Sequence, residues 1–473
     1  MSEFKLSEKL DSEKCFILQK SELDKRLDPF YYLPSIKELD KKVVQAGAKP
    51  LRYFIESLSS GATPKTAEKE KYYSNEEDGI PFLRVQNLSP TGFLKLDNCK
   101  YINKETHNNY LKRSQVEGGD LLVKITGVGR MAVASVAPNG FVGNTNQHMV
   151  VIKTKDRATS EILAAYLNTD IGEMLASRRA TGGTRPALDY PALLSIPIIF
   201  DTKILDIYKK AIKSKKQKEL QAKELLENID TYLLNELGIT LPEVDNSLDK
   251  RIFEVKLSDV SSYRTDAEAY LPYYDEVYKA ISNTKYDLQY LNKVVFRVNR
   301  RFKAKTAEEY KYIQLGSIGI DSSEVIKPLN IRLPEIPSRA QQIVKTGEIL
   351  FAIANPQWGT HILVKKENNN FIASSGFIIL DSDENNNNYI TEVLRSNLYK
   401  KLYEKYLTGS GLFLNISTKD LLSLKIPLPP IEKQNEIAEH IQNIRDEAKQ
   451  LKLEAVQELE SAKAEVEKMI LGL

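Results

Sequence analysis

The sequence predicts an α+β protein with a pseudo-twofold internal repeat, in which two sheet-rich domains are separated by two long antiparallel helices forming a coiled coil. A duplication is the first observation behind this. Arg26-Leu27-Asp28-Pro29-Phe30-Tyr31-Tyr32-Leu33-Pro34 returns as Arg264-Thr265-Asp266-Ala267-Glu268-Ala269-Tyr270-Leu271-Pro272, with Arg, Asp, Tyr, Leu and Pro in the same register. The stretch 116–122 is matched by 344–350, Thr181-Gly182 by Thr408-Gly409, and Ile196-Pro197 by Ile426-Pro427, each pair roughly 230 residues apart. Solenoid repeats recur at about 20 to 50 residues, so the repeated unit here is a whole domain with its appendage.

The second observation is a pair of long apolar seams. Residues 431–470 contain neither Gly nor Pro, and Ile437, Ile441, Ile444, Ala448, Leu451, Ala455, Leu459, Ala462, Val466 and Met469 recur at intervals of three and four, with one stutter between Ala455 and Leu459. Its counterpart covers 204–237, with Ile204, Tyr208, Ile212, Ala222, Leu226, Ile229 and Leu233 on one face. Gly238 follows as a helix stop and Pro242 lies beyond it. Lys215 and Glu219 interrupt this seam, as polar residues do when they fix register. At about 1.5 Å per residue each helix spans roughly 50 Å, more than the ~34 Å of one DNA turn. An ordinary dimerisation coiled coil is the plainer reading.

Taken in order, 1–200 forms a first sheet-rich domain, with strands predicted at 82–85, 120–125, 133–136 and 148–152 between Gly, Pro and Asn punctuation, and a helix at 162–176. The first spacer helix occupies 201–240. A second domain, 241–428, repeats the pattern with strands at 312–315, 348–353, 361–364 and 371–380 and a helix at 390–406. The second spacer helix is 429–473.

Composition excludes several classes. Lys and Arg number 67 against 64 acidic residues, so the total charge argues for no partner by itself. Cys15 and Cys99 are the only cysteines, and His107, His148, His361 and His440 have no metal-ligand spacing, so neither a disulfide framework nor a metal site is expected. The amino-terminal stretch 1–9 is charged, and no run of about 18 apolar residues occurs anywhere. A soluble protein of the reducing cytoplasm is expected.

Leu424-Lys425-Ile426-Pro427-Leu428-Pro429-Pro430-Ile431-Glu432-Lys433-Gln434-Asn435-Glu436-Ile437-Ala438 resembles the junction between recognition domain and conserved helix in the specificity subunits of type I restriction-modification systems. So does the order of Ile80-Pro81-Phe82-Leu83-Arg84-Val85-Gln86-Asn87, the Gly119-Asp120-Leu121 turn, the Thr181-Gly182-Gly183 loop and the helix after it. The resemblance covers essentially the whole chain. Two departures stand out: Ile196-Pro197-Ile198-Ile199-Phe200-Asp201 lacks the double proline and the Glu-x-x-Gln pattern, and Leu407-Thr408-Gly409-Ser410-Gly411-Leu412-Phe413 lacks the Arg of Thr184-Arg185-Pro186. The resemblance implies a non-catalytic subunit. Each target-recognition domain would read one half of a bipartite, asymmetric site in double-stranded DNA, and the helices would fix the gap. Two adenine methyltransferase subunits, and in some systems restriction/translocase subunits, would be its partners. S-adenosylmethionine would belong to the methyltransferase, with no cofactor in this chain.

Enzyme motifs offer the competing reading. Asn355-Pro356-Gln357-Trp358 resembles the Asn-Pro-Pro-aromatic motif of amino-methyltransferases, yet no glycine-rich loop in a βα setting precedes it. Gly127-Val128-Gly129-Arg130 reads as a tight hairpin turn, and no Walker A loop or nucleophile elbow is present. Base edges are instead matched by Arg or Lys on guanine and Asn or Gln on adenine. In the first domain the candidates for contacting DNA are Lys124, Thr126 and Arg130; Asn144, Asn146, Gln147 and the adjoining His148; and Arg178, Arg179, Thr184 and Arg185. In the second they are Arg297, Arg300, Arg301 and Lys303, a basic run ahead of the first sheet strand, with Asn355, Gln357, Trp358, Ser374, Ser375 and Asn415. Asn and Gly also build turns for backbone reasons, and Trp358 suits a core as well as a loop tip. Lys209, Lys210, Lys213, Lys215, Lys216 and Lys218 form a run that either lies over spacer phosphates or is simply solvated. Arg26 with Asp28, and Arg264 with Asp266, suit local ion pairs at each domain start or a docking role. A coiled-coil scaffold with protein-binding domains and an autonomous methyltransferase are the alternative functions.

Overall fold

The computed structural model describes residues 11, 13–24, 26–243, 245, 247–260, 264–305, 308–411 and 413–472. The stretch 1–9 and Leu412, named above, lie outside them. Packing divides the α+β chain into two units, 1–218 with 453–473, and 219–452. The division falls inside both long helices, Thr202–Leu237 and Ile431–Leu471. Among the described residues no helix is long and apolar enough to cross a membrane.

Unit 1 holds two five-stranded sheets. One runs in the order Tyr73–Ser74, Lys100–Ile102, Ile80–Leu83, Val142–Thr145, Gln115–Glu117; the other runs Ser57–Ser60, Met149–Lys153, Leu121–Lys124, Ala134–Val136, Gly92–Phe93. Leu121–Lys124 is buried throughout because both of its faces are covered, which is why the sequence shows an unbroken apolar run rather than alternation. Leu121, Val123, Val150 and Ile152 pack on Leu163, Tyr166, Leu167 and Leu175 of two helices. These are Arg157–Leu167 and Asp170–Arg179, not the single helix expected at 162–176. Thr169 interrupts by accepting the Gly172 N–H at 3.0 Å as a helix N-cap, and a Cβ on Gly172 would sit 2.3 Å from the Tyr166 carbonyl oxygen.

Unit 2 repeats the plan with two four-stranded sheets, Phe296–Val298, Phe377–Asp381, Ile349–Ala352, Ile362–Leu363 and Leu329–Arg332, Glu309–Ile313, Ile372–Ser374, Ala340–Ile343. The single strand expected at 371–380 is two strands in different sheets. Gly376 breaks it: its carbonyl accepts Ile353 N at 2.9 Å and its N–H donates to Ser374 Oγ at 3.2 Å. The helix expected at 390–406 is likewise Asn387–Arg395 and Asn397–Glu404, split at Ser396, whose hydroxyl accepts the Tyr399 N–H.

Each unit takes one part of each long helix. In unit 1, Ile204 and Tyr208 share the core with Leu459, Val466 and Ile470, and Lys218 Nζ reaches Glu454 at 2.6 Å and Glu458 at 3.3 Å. In unit 2, Ile229, Leu233 and Leu237 share the core with Ile437, Ala438 and Ile441, and Lys433 pairs with Glu236 at 2.8 Å. Early residues of one helix meet late residues of the other, so the pairing is antiparallel. The seam read from the sequence is the buried face: Ala222, Leu233, Ile437, Ile441, Ala448, Ala455 and Val466 are each almost fully buried.

The duplicated amino-terminal motif has one structural role in both units. Arg26 pairs with Asp28 at 2.8 Å and donates to the carbonyls of Arg179 and Ala180 at 3.0 and 2.6 Å; Asp28 accepts Tyr31 N, and Tyr32 Oη donates to Arg26 O at 2.8 Å. Arg264 pairs with Asp266 at 2.6 Å and donates to the carbonyls of Lys405 and Leu407; Asp266 accepts Ala269 N, and Tyr270 Oη donates to Arg264 O at 2.6 Å. The ion pairs fasten each domain start to the end of a helix.

Candidate nucleic-acid interface

Four loops of unit 1 meet at one end of its sheets. Strands Leu121–Lys124 and Ala134–Val136 are joined by residues 125–133, a wider loop than a tight hairpin turn at Gly127 to Arg130. Within it Thr126 bridges to Ala187, Gly127 N donates to Pro186 O at 3.1 Å, and Leu188 N donates to Ile125 O at 2.8 Å. Ile125 N donates to His148 O at 3.0 Å, which brings in the segment 144–148, and Thr63 Oγ1 donates to Gln147 Oε1 at 2.6 Å, which brings in 61–65. Backbone packing leaves no room for a side chain at Gly61, where a Cβ would lie 1.6 Å from Thr145 O.

Unit 2 builds the same end at an offset of 228 residues: Thr126 with Ala187 becomes Ala354 with Asn415, and Ile125 with Leu188 becomes Ile353 with Ile416, Ile416 N donating to Ile353 O at 3.0 Å. Asn355 N donates to Leu414 O at 2.8 Å, and Ser375 N to Arg339 O at 2.8 Å. The candidates at 124–130, 144–148 and 181–187 thus occupy places equivalent to those at 352–358, 374–376 and 409–415.

Many candidate side chains are committed inside the protein. Lys124 is buried, and its Nζ donates to Val128 O at 2.7 Å and Arg130 O at 2.9 Å; burial lowers its pKa, with Glu173 pulling the other way. It shapes the loop from within. Arg130 turns back to Asp170 at 2.6 Å and to the carbonyls of Asn168 and Thr169. Asn144, with no exposed surface, lies between Leu111 O and His107, and Asn146 accepts its neighbour's His148 N at 3.1 Å. Arg178 and Arg179 both hold Asp40, and Arg179 also binds Leu175 O and Ser195. Arg300 is paired with Glu348 at 2.7 Å, and Ser374 is buried. Asn355 is buried in a left-handed conformation, its side chain accepting Leu414 N at 3.4 Å, so it is not offered to a flipped base. Two physical reasons account for this: partly buried carboxylates such as Asp40 and Glu348 need cationic partners, and backbone carbonyls and N–H groups in the turns need polar ones.

What remains at the surface is narrower. Gln147, Thr184 and Arg185 are exposed at the end of unit 1, with Thr126 half-buried beneath them. In unit 2, Arg297, Arg301, Lys303, Trp358 and Asn415 are exposed, with Gln357 and Ser375 half-buried. Trp358 is 45% exposed, which places it at the surface and not as a core anchor. Arg297 lies within an edge strand, Phe296–Val298, not ahead of the sheet. Sequence reasoning passed over Thr63, Arg339 and Gln341, which non-local strand pairing alone delivers here. Of the lysine run, Lys209 pairs with Glu161 at 3.0 Å, Lys216 lies 4.6 Å from the Phe93 ring and Lys218 is held by Glu454 and Glu458. Those three cations have protein partners before any phosphate is considered.

Exposed guanidinium, amide and hydroxyl groups on strand-connecting loops suit base edges and phosphates. Comparison with known proteins gives this a family context. Residues 290–461 match the type I restriction modification DNA specificity domain. A putative type I restriction enzyme MjaX specificity subunit of Methanocaldococcus jannaschii is 38% identical over 73 residues, 15% of this chain and 17% of that protein, so the chain spans about a sixth of the length of this relative. A chain from a solved type I R-M system is similar over 90% of this chain and 96% of its own, at 14% identity and a TM-score of 0.46. The S subunit of a type I restriction-modification system from M. genitalium is similar over 89% and 94%, at 14% identity and a TM-score of 0.37. Residues 290–461 are thus similar to the type I restriction modification DNA specificity domain, and a 73-residue stretch of the chain to a putative type I restriction enzyme specificity subunit.

Proposed function

We propose that this chain is the non-catalytic DNA-recognition subunit of a type I restriction-modification complex, each unit reading one half of a bipartite, asymmetric site in double-stranded DNA. The observation that carries the reading is the repeated loop end: the same backbone bridges, 228 residues apart, assemble equivalent loops in both units, while the exposed side chains on them differ. Shared scaffold with different reading groups is what an asymmetric two-part target requires. The specificity-domain match over residues 290–461 supports the same reading.

On this reading the chain recruits two adenine methyltransferase subunits, which bind S-adenosylmethionine, and works in the cytoplasm; restriction/translocase subunits join in systems that cut. Its own contribution is to position. The Asn355 side chain is tied to the 408–415 segment by accepting Leu414 N at 3.4 Å, which supports a structural role for this motif. Exchange of 250–428 for the equivalent domain of another specificity subunit tests the proposal. One half of the methylated sequence should change while the other half is kept; a change in both halves, or in neither, contradicts it.

A further inference from the structure

The second unit holds an open groove of ≈ 670 Å³ beside its candidate loops. Arg297, Asn299, Arg301, Gln341 and Ser375 line it, and no carboxylate does. The charge in it is uncommitted. Arg264, Arg300 and Arg445 of the same unit are bound to Asp266, Glu348 and Glu392, and Arg395 is bound to backbone carbonyls; Arg297 and Arg301 are exposed and have no ion pair among the described residues. Arg339, also exposed, stands at the same place, its carbonyl accepting Ser375 N at 2.8 Å.

Shape decides between the two things such donors do. A base edge lies on the floor of the DNA groove and is reached by side chains that stand out from a protein, whereas the sugar-phosphate strand is a ridge that seats in a concavity. We infer that this groove seats one phosphate strand of the target, with Arg297 and Arg301 as phosphate clamps and not as base readers. This rests on the proposed DNA-recognition function and assigns a role within it. The two arginines have no counterpart in the first unit. By strand register Arg297, opposite Leu380, corresponds to Leu58, opposite Ile152, and the matching stretch Leu58-Ser59-Ser60-Gly61-Ala62 has no Arg. Next to that stretch, the Thr63 hydroxyl donates to Gln147 Oε1 at 2.6 Å.

The test is the salt dependence of DNA binding by the full chain, assembled with a co-expressed methyltransferase, on a duplex carrying the methylated motif and on a mixed-sequence duplex. Each phosphate contact contributes about 0.9 to the slope of log K against log salt, so R297A/R301A should flatten the slope by about 1.8. The loss of affinity between 50 and 200 mM salt then shrinks by about twelve-fold, and the methylated motif stays the same. R297Q/R301Q serves as the second variant, with circular dichroism to show that both fold. R332A, an exposed Arg on the opposite edge of the neighbouring sheet, should not lower the slope beyond a small fraction of this. An unchanged slope, or a motif that loses a guanine position, overturns the assignment. Absence of salt-dependent binding by the unsubstituted complex overturns the recognition function itself, a separate result.

Discussion

Glu467 accepts the backbone N–H of Asp170 at 2.5 Å, at the start of the helix Asp170–Arg179. Glu467 belongs to the second long helix. In unit 2 the same task falls to Asp230 of the first long helix, which accepts Asn397 N at 2.8 Å at the start of Asn397–Glu404. The two caps draw on different long helices, and each bond fixes one long helix to one unit.

Removing either carboxylate should therefore loosen one unit. Glu467→Ala and Asp230→Ala each leave the first N–H of a helix without its acceptor, while Thr169 and Ser396 keep their cap bonds, at an expected cost of about 0.5–2 kcal/mol. Urea unfolding monitored by circular dichroism checks this, and equal stability of both variants and the parent would show that the caps contribute nothing.

The two types of aspartate should respond to acid in opposite senses. The Arg264 guanidinium holds the Asp266 carboxyl below its ordinary value, as Arg26 does for Asp28, so their contribution is present above about pH 4 and is lost as pH falls through the depressed folded values. Burial pushes Asp230 up, opposed by the Asn397 N–H, so the folded state binds its proton more readily and stability falls as pH rises through the window between the ordinary and the raised value. Asp266→Asn should thus flatten the acid limb of a stability-against-pH curve, and Asp230→Asn should remove a decline above it. Parallel curves for parent and both variants would refute the assignment.

Exposed and committed arginines should separate cleanly. Arg185→Ala should cost about 1–3 kcal/mol in DNA affinity with no change in unfolding. Arg178→Ala should cost about 1–3 kcal/mol in stability, since Asp40 keeps Arg179 but Tyr31 O loses its donor. The pair of measurements reverses if Arg178 reads DNA.

Gly61→Ala tests the loop end as a packed object. A methyl group 1.6 Å from Thr145 O forces the 61–65 and 144–148 segments apart, an expected loss of about 1–3 kcal/mol or more. A neutral substitution would mean these loops are not held together.

The duplication and the helical seams were legible because they are local or repeated in the chain: Arg26, Asp28 and Tyr32 carry their roles in one short motif, and the seam residues from Ile204 to Val466 are buried or half-buried, as their spacing indicates. At the candidate residues the sequence did not disclose which side chains are committed inside the protein. Lys124, Arg130, Asn144 and Arg179 lie in or beside the candidate loops, but their partners are Val128 O, Asp170, Leu111 O and Asp40, and no local pattern announces a partner as distant as Asp40. Breaks inside elements were missed for a related reason: Thr169, Ser396 and Gly376 act through single hydrogen bonds that apolar periodicity does not register.

The central claim, that this chain dictates a two-part DNA target, is tested most directly by long-read mapping of methylated adenines in cells that co-express the chain with an adenine methyltransferase, against cells with the methyltransferase alone. One bipartite motif with a fixed gap, present only with this chain, is the expected result. Methylation that is identical with and without it would overturn this role.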